Sequence, residues 1–224
     1  NRLYEGQKTM TWCSHCQTSL AKHELEYKNV VDKSIFVKFE VEDKEDEYLI
    51  IWTTTPWTIP FNLGVMVHPD FDYVKAKVDD EIWIIAKGLA GAFLSGVCEK
   101  DYEIVEEVKG KELEGTRYIH PFENILHDEY EKLKEKSEKV FSVLLSDEYV
   151  DLSAGTGLVH TAPGCGPEDY EVGHREGIPP YNTLSQSGIF PEKMGKFGGL
   201  RAKKDDNKFI EELKNQGNLV AITE

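Results

Sequence analysis

Ile51-Trp52-Thr53-Thr54-Thr55-Pro56-Trp57-Thr58-Ile59-Pro60-Phe61-Asn62-Leu63-Gly64-Val65-Met66 is the stretch on which the reading of this chain turns. It is entered by Tyr48-Leu49-Ile50-Ile51-Trp52, a run of bulky and β-branched residues that reads as a buried strand. Pro56 and Pro60 each lack a backbone donor, so they cannot both sit inside a central strand. The spacing therefore predicts a strand ending over Trp52–Thr55 and a stiff turn over Pro56–Asn62. Any one threonine in a strand is ordinary. Four of them, Thr53, Thr54, Thr55 and Thr58, within six positions and bracketed by prolines make a hydroxyl-lined wall beside Trp52 and Trp57. Such a wall can hydrogen-bond a polar ligand while limiting its size.

Working outward, the flanking segments read as short strands with turn signals. Ser34–Val41 alternates and, across the charged turn Glu42–Glu47, forms a hairpin into the central strand. Tyr73–Val78 and Glu81–Ala86 flank Asp79-Asp80, a two-residue hairpin turn. Further strands are expected at Ile104–Val108, Phe141–Leu145, Leu158–His160 and Leu219–Thr223. Helices are expected at Lys87–Val97, Ile125–Lys139, Pro167–Glu176 and Asp205–Gln216, the last capped by Asp205 and apolar along Phe209, Ile210 and Leu213. The fold class is mainly β (α+β), a β-barrel core with peripheral helices. Residues 1–20 read as a linker, 21–224 as one domain, and about 125–140 as a helical insertion on its surface.

The net charge of −15 argues against unaided, non-specific binding of nucleic acid, so any RNA contact must be local or delivered by another body. No apolar run approaches a membrane span, and the start lacks the charged and apolar segments of a signal peptide. Four cysteines are too few for a disulfide scaffold, which points to a reducing, cytoplasmic setting. Asn1 in place of Met suggests an excised or processed chain. Cys13-Ser14-His15-Cys16 has the spacing of half a tetrahedral zinc site, with a redox pair or coincidence as the other readings.

A second stretch, Gly155 to Gly173, runs from a short strand ending at His160, through Pro163-Gly164-Cys165-Gly166, into a helix opening at Pro167-Glu168-Asp169. Alone, Asp169 is a favoured helix-start residue and His160 an ordinary strand-end histidine. A strand–loop–helix excursion of this length can bring the two together. A carboxylate there can hold an ammonium group, and a neutral imidazole can shape a pocket. No dinucleotide loop, Walker loop, zinc-protease motif or nucleophile elbow is present.

These two stretches together resemble the editing domain inserted into class I aminoacyl-tRNA synthetases for branched aliphatic amino acids. Trp52 to Asn62 resembles the threonine-rich editing motif. Thr55-Pro56-Trp57-Thr58 lacks the arginine and acid of the leucyl and valyl members, which favours the isoleucyl type. Gly155–Gly164 and Glu168–Gly173 resemble the second editing motif, and Trp12–Thr18 the segment where the insertion leaves the catalytic body. Phe61 stands where alanine is common and Cys165 where histidine is common, which removes catalytic duty from that loop position. The aminoacylation signatures are absent. The resemblance implies hydrolysis of valine mis-attached to isoleucine tRNA by direct water attack on the aminoacyl ester. Its implied partners are the 3′ end of that tRNA and the remainder of a parent synthetase. It further implies catalytic roles for Asp169, Thr54, Thr55 and His160, and substrate contacts from Trp52, Thr53, Trp57, Thr58, Asn62 and Thr161. Editing needs no cofactor in this reading. A structural zinc in the longer parent would use Cys13 and Cys16 with a partner pair outside this chain. The alternative class is a non-catalytic module that binds an RNA end or a protein.

Overall fold

A computed structural model describes residue 3 and residues 5–223; Asn1, Arg2, Tyr4 and Glu224, and with them the reading of the first residue, lie outside the described residues. A small hairpin, β1 (Trp12–Cys13) with β2 (Thr18–Ser19), precedes the main body. β3 (Ser34–Val41) and β4 (Glu47–Thr53) form the expected antiparallel hairpin, in register from Ile35↔Thr53 to Glu40↔Tyr48. β5 (Gly64–Val67) follows, then β6 (Asp72–Val78) and β7 (Glu81–Ala86), which turn at Asp79-Asp80 with Asp79 at φ 53°. Helix α1 (Lys87–Gly91) continues as a wider turn to Val97 and leads to β8 (Glu103–Lys109). β9 (Tyr118–Ile119), α2 (Glu123–Lys134), β10 (Ser142–Leu145), β11 (Val159–Thr161), α3 (Pro167–Glu176), α4 (Asp206–Asn215) and β12 (Leu219–Thr223) complete the chain.

The main sheet runs β10-β5-β11-β4-β7-β6-β8, with β3 on the other edge of β4. One edge of β4 is shared: Glu47–Leu49 pair with β7, and Trp52 pairs with Val159 of β11. The sheet curls back on itself. β3 carries β9, and an Arg117↔Ser142 bridge, with Tyr118 N–H donating to Phe141 O (3.0 Å), joins β9 to β10. The strands β3, β4, β11, β5, β10 and β9 thus form the barrel-like curl that the sequence leads one to expect, with β6, β7 and β8 branching from it.

β4 reads as an unbroken apolar run because both of its faces are buried. Leu49 and Ile51 enter the main core with Phe39, Val65 and Phe141, while Ile50 joins Phe36, Trp83 and Phe93 in a second cluster. Each such side chain contributes about 1.5–3 kcal/mol of burial. α2 is more than a solvated segment, since Leu126, Tyr130 and Leu133 are buried beneath its charged face. α3 ends as its glycine dictates, with Gly177 at φ 73°. α4 buries Phe209, Ile210 and Leu213, but Asp205 does not cap it with its side chain. That carboxylate accepts instead from Arg201 N–H at 2.7 Å, drawn off by the turn before the helix. β4 stops at Thr53, two residues earlier than expected, because Pro56–Phe61 is a 3₁₀ helix whose first turn already engages Thr55 through Thr58 N–H (2.9 Å).

Candidate functional site

The residues that bring β4, the 3₁₀ helix and β11 together are polar and buried, and their hydrogen bonds converge on Thr58 from two sides. Asn62 is fully buried. Its side-chain N–H groups donate to Gly64 O and to His160 Nδ1, each at 2.8 Å, and its carbonyl accepts from the Tyr118 hydroxyl. A flipped amide would set its oxygen against the Gly64 carbonyl, so the orientation is fixed. His160 Nδ1 is therefore an acceptor and the proton sits on Nε2, which donates to Thr58 Oγ1 at 2.9 Å. The Thr58 hydroxyl donates to Thr55 O at 2.7 Å, and its oxygen accepts from the Thr55 hydroxyl at 3.1 Å. The Thr53 hydroxyl in turn donates to Thr55 Oγ1 (3.2 Å) and accepts from Thr55 N–H (3.1 Å). Burial depresses the His160 pKa to about 4, so the imidazole is neutral near pH 7.

This wall lines a cavity of about 460 Å³ together with Trp52, Thr54, Trp57, Cys165 and Asp169. Asp169 lies in the first turn of α3 and reaches the cavity because Gly166 leaves it room: a Cβ there would lie 2.7 Å from Asp169 Oδ2. Burial pushes the Asp169 carboxyl up to about 7; a hydrogen bond from the Ala162 backbone works against that rise, and the Glu168 charge adds to it. The Cys165 thiol is pushed far above its ordinary range by burial, with the Asp169 charge adding to it, so it is no nucleophile. Gly155, at φ 76°, closes the cavity behind Trp52; a Cβ there would lie 3.1 Å from the indole.

Two expected site residues do not face this cavity. Thr161 is fully buried and its hydroxyl turns to Val159 O at 3.3 Å. Side chains alternate along β11, so placing His160 on the cavity puts Thr161 on the opposite face. Asn62 sits behind His160 and orients it rather than meeting a ligand. Cys13 and Cys16 form a tight turn in which Cys16 N–H approaches Cys13 Sγ at 3.4 Å, and this contact leads the causes lowering the Cys13 pKa. Two thiols supply half of a tetrahedral donor set. Among the described residues, the one cluster of three or more metal-ligating side chains is Glu123, His127 and Glu131 on α2, away from these thiols in sequence and bridged by Lys134.

Sequence reasoning missed three supports of the wall. Tyr118 fixes the Asn62 amide. His120 is buried; its Nε2–H donates to Ile59 O at 3.0 Å, and burial lowers its pKa to about 3. The Tyr130 hydroxyl donates to Pro60 O at 3.2 Å. The His120-Pro121 pair gave a local turn signal that concealed this long-range role.

No protein-family model matches the chain. The isoleucine–tRNA ligases of Pyrococcus furiosus and Pyrococcus abyssi are 51% and 50% identical to it over 231 residues, covering 99% of this chain and 21% of their own length. That of Methanocaldococcus jannaschii is 46% identical over 97% of this chain and 22% of its own. The chain belongs to the isoleucine–tRNA ligase family. It spans about a fifth of the length of the curated relatives it matches. Among solved structures, GlLeuRS-CP1 aligns with a TM-score of 0.63 at 15% identity, over 85% of this chain and 99% of that one. The cytosolic leucyl-tRNA synthetase editing domain of P. knowlesi aligns with a TM-score of 0.54 at 12% identity, over 88% of this chain and 100% of that one. These likenesses show the fold, so the chain is an isoleucine–tRNA ligase segment with the fold of a synthetase editing domain. Among its described residues no helix is long and apolar enough to cross a membrane.

Proposed function

We propose that this domain hydrolyses valine mis-attached to isoleucine tRNA. The observation that carries the reading is the meeting of Asp169, the threonine hydroxyls and His160 in one cavity. The ionised Asp169 carboxylate pairs with the α-ammonium of the aminoacyl group. Thr53, Thr54, Thr55 and Thr58 meet the terminal adenosine and the ester, with Trp52 at their side. His160 and Trp57 border the amino-acid side chain and leave no space for the extra carbon of isoleucine. A hydrophobic pocket selects for one methylene by only about 1–3 kcal/mol, a general figure for which isoleucine against valine is itself the standard case. A second, smaller site that excludes isoleucine raises fidelity beyond that limit.

Water is the nucleophile in this reading. The Cys165 thiol stays protonated, His160 Nδ1 is occupied by Asn62, and Nε2 already carries its proton. Catalysis then rests on orientation, on the Thr54 hydroxyl as donor to the developing oxyanion and on the neighbouring ribose hydroxyl of the substrate. A larger cavity of about 1110 Å³ shares Trp57 and Cys165 with the first. Among its described lining residues are Lys8, Arg201, Lys203 and Lys204 and no acid, whereas the first cavity holds Asp151 and Asp169 and no Lys or Arg. In a chain of net charge −15 that segregation supports an approach of the tRNA strand through the basic hollow, with the aminoacyl end in the acidic one. Cys13 and Cys16 would supply two thiolates to a structural zinc completed from elsewhere in a parent synthetase.

Deacylation of valyl-tRNA tests the reading. Asp169→Ala is expected to lower kcat/KM by about a hundredfold or more, and a chelator to leave the rate unchanged. Near-normal turnover of the variant would remove the central role of Asp169. Loss of activity with chelator would point to a metal-dependent hydrolase, and absence of turnover in the unsubstituted chain to a binding module.

A further inference from the structure

The 3₁₀ helix Pro56–Phe61 has one free donor at its start. Pro56 has no N–H, and Thr58 N–H is taken by Thr55 O. The remaining group, Trp57 N–H, donates to Asp206 Oδ1 at 3.2 Å, across 149 residues of sequence. The far end is held likewise, with His120 on Ile59 O and Tyr130 on Pro60 O. Asp206 is the first residue of α4, so one carboxylate serves the amino ends of two helices. Trp57 itself is part of the lining of both cavities.

We infer that Asp206 is a positioning residue for the site: it fixes the backbone at Trp57 and so sets the width of the hollow that admits valine and turns isoleucine away. This rests on the proposed editing reaction. No residue of the 3₁₀ helix is itself charged. The groups facing the Asp206 carboxyl are Lys203, Asp32 and its neighbour Asp205, and burial raises it to about 6. With Ala at 206 the Trp57 N–H loses its acceptor in a half-buried place, and the cheapest relief is a shift of the backbone there, which carries the indole with it. With Asn the side-chain carbonyl still accepts, so the geometry survives without the charge.

The test measures deacylation of valyl- and isoleucyl-tRNA by the chain and by its D206A and D206N forms, each verified as folded by circular dichroism. D206A is expected to lower the valine-over-isoleucine ratio by about tenfold, through faster isoleucine release and a raised KM for the valyl ester, with kcat within about twofold. D206N is expected to restore the ratio. Unchanged selectivity in folded D206A, or equal loss in D206N, overturns the inference. A second readout is independent of turnover: the Trp57 amide resonance should titrate with a midpoint near pH 6 and cease to do so in D206N. A Trp57 amide that does not titrate overturns the link even if D206A fails to fold. If the unsubstituted chain releases neither amino acid, the editing reading falls while the Trp57 amide still decides the role of Asp206.

Discussion

The threonine wall and the Asp169 side meet in one cavity, yet the first is closed on itself and the second is not. From Tyr118 through Asn62 and His160 to Thr58, Thr55 and Thr53, every acceptor finds a donor, and the His160 imidazole is held neutral. Such a network is rigid and asks nothing of a ligand. Asp169 is largely buried, its causes of shift include no cation, and its carboxyl sits near the pH at which the site would work. A carboxylate left short of counter-charge is a place prepared for a cation. One side supplies shape at little cost, and the other stores unfavourable energy that an ammonium group would release.

The sharpest way to break this contrast is Asp169→Asn. It should reduce deacylation as severely as Ala while stabilising the chain. The ordinary carboxyl value is 3.8 and the folded value about 7, so between these the folded chain holds a proton that the unfolded chain has lost. The stability contributed by that proton therefore fades as pH rises through the window, and above pH 7 the full cost of the buried charge remains. Thermal unfolding should show Asp169→Asn more stable by about 1–2 kcal/mol at pH 8, with the gap closing toward pH 4. Equal stability at both pH values would mean that Asp169 carries no such cost.

On the other side, His160→Ala should destabilise. It leaves the Asn62 amide and Thr58 each short of a partner and opens a void, at about 2–4 kcal/mol. Isoleucyl-tRNA, excluded before, should then be cleaved at a rate approaching that of valyl-tRNA. A denaturant titration and a paired deacylation assay check both. The smallest effect is expected at Thr161→Val, within about 1 kcal/mol and twofold in rate, because that side chain faces away from the cavity. A large loss of activity there would restore Thr161 to the substrate and place the cavity wrongly.

What was legible in the sequence follows the range of the interactions. The β3–β4 and β6–β7 hairpins and the stop of α3 at Gly177 are local, and their residues announce them. The nearness of His160 to Asp169 was legible from the short strand–loop–helix excursion between them, whereas the pairing of Thr53–Thr58 with His160 was implied only by the resemblance to a synthetase editing domain. The curl of the sheet through Arg117 and Ser142 was not, since a bridge of one residue pair leaves no periodic trace. Nor were Tyr118, His120 and Asp206, whose partners lie 56, 61 and 149 residues away. Thr161 misled because a strand of three residues is too short for its alternation to be read with certainty of face.

The direct test of the central claim is a cycle of binding measurements by calorimetry at pH 8. Adenosine carrying valine through a non-hydrolysable amide, and the same compound without its amino group, are titrated into the chain and into Asp169→Asn. An ion pair between the ammonium and Asp169 predicts that removing the amino group weakens binding about a hundredfold in the unsubstituted chain and hardly at all in Asp169→Asn. Losses that simply add, with the same penalty in both proteins, would contradict it.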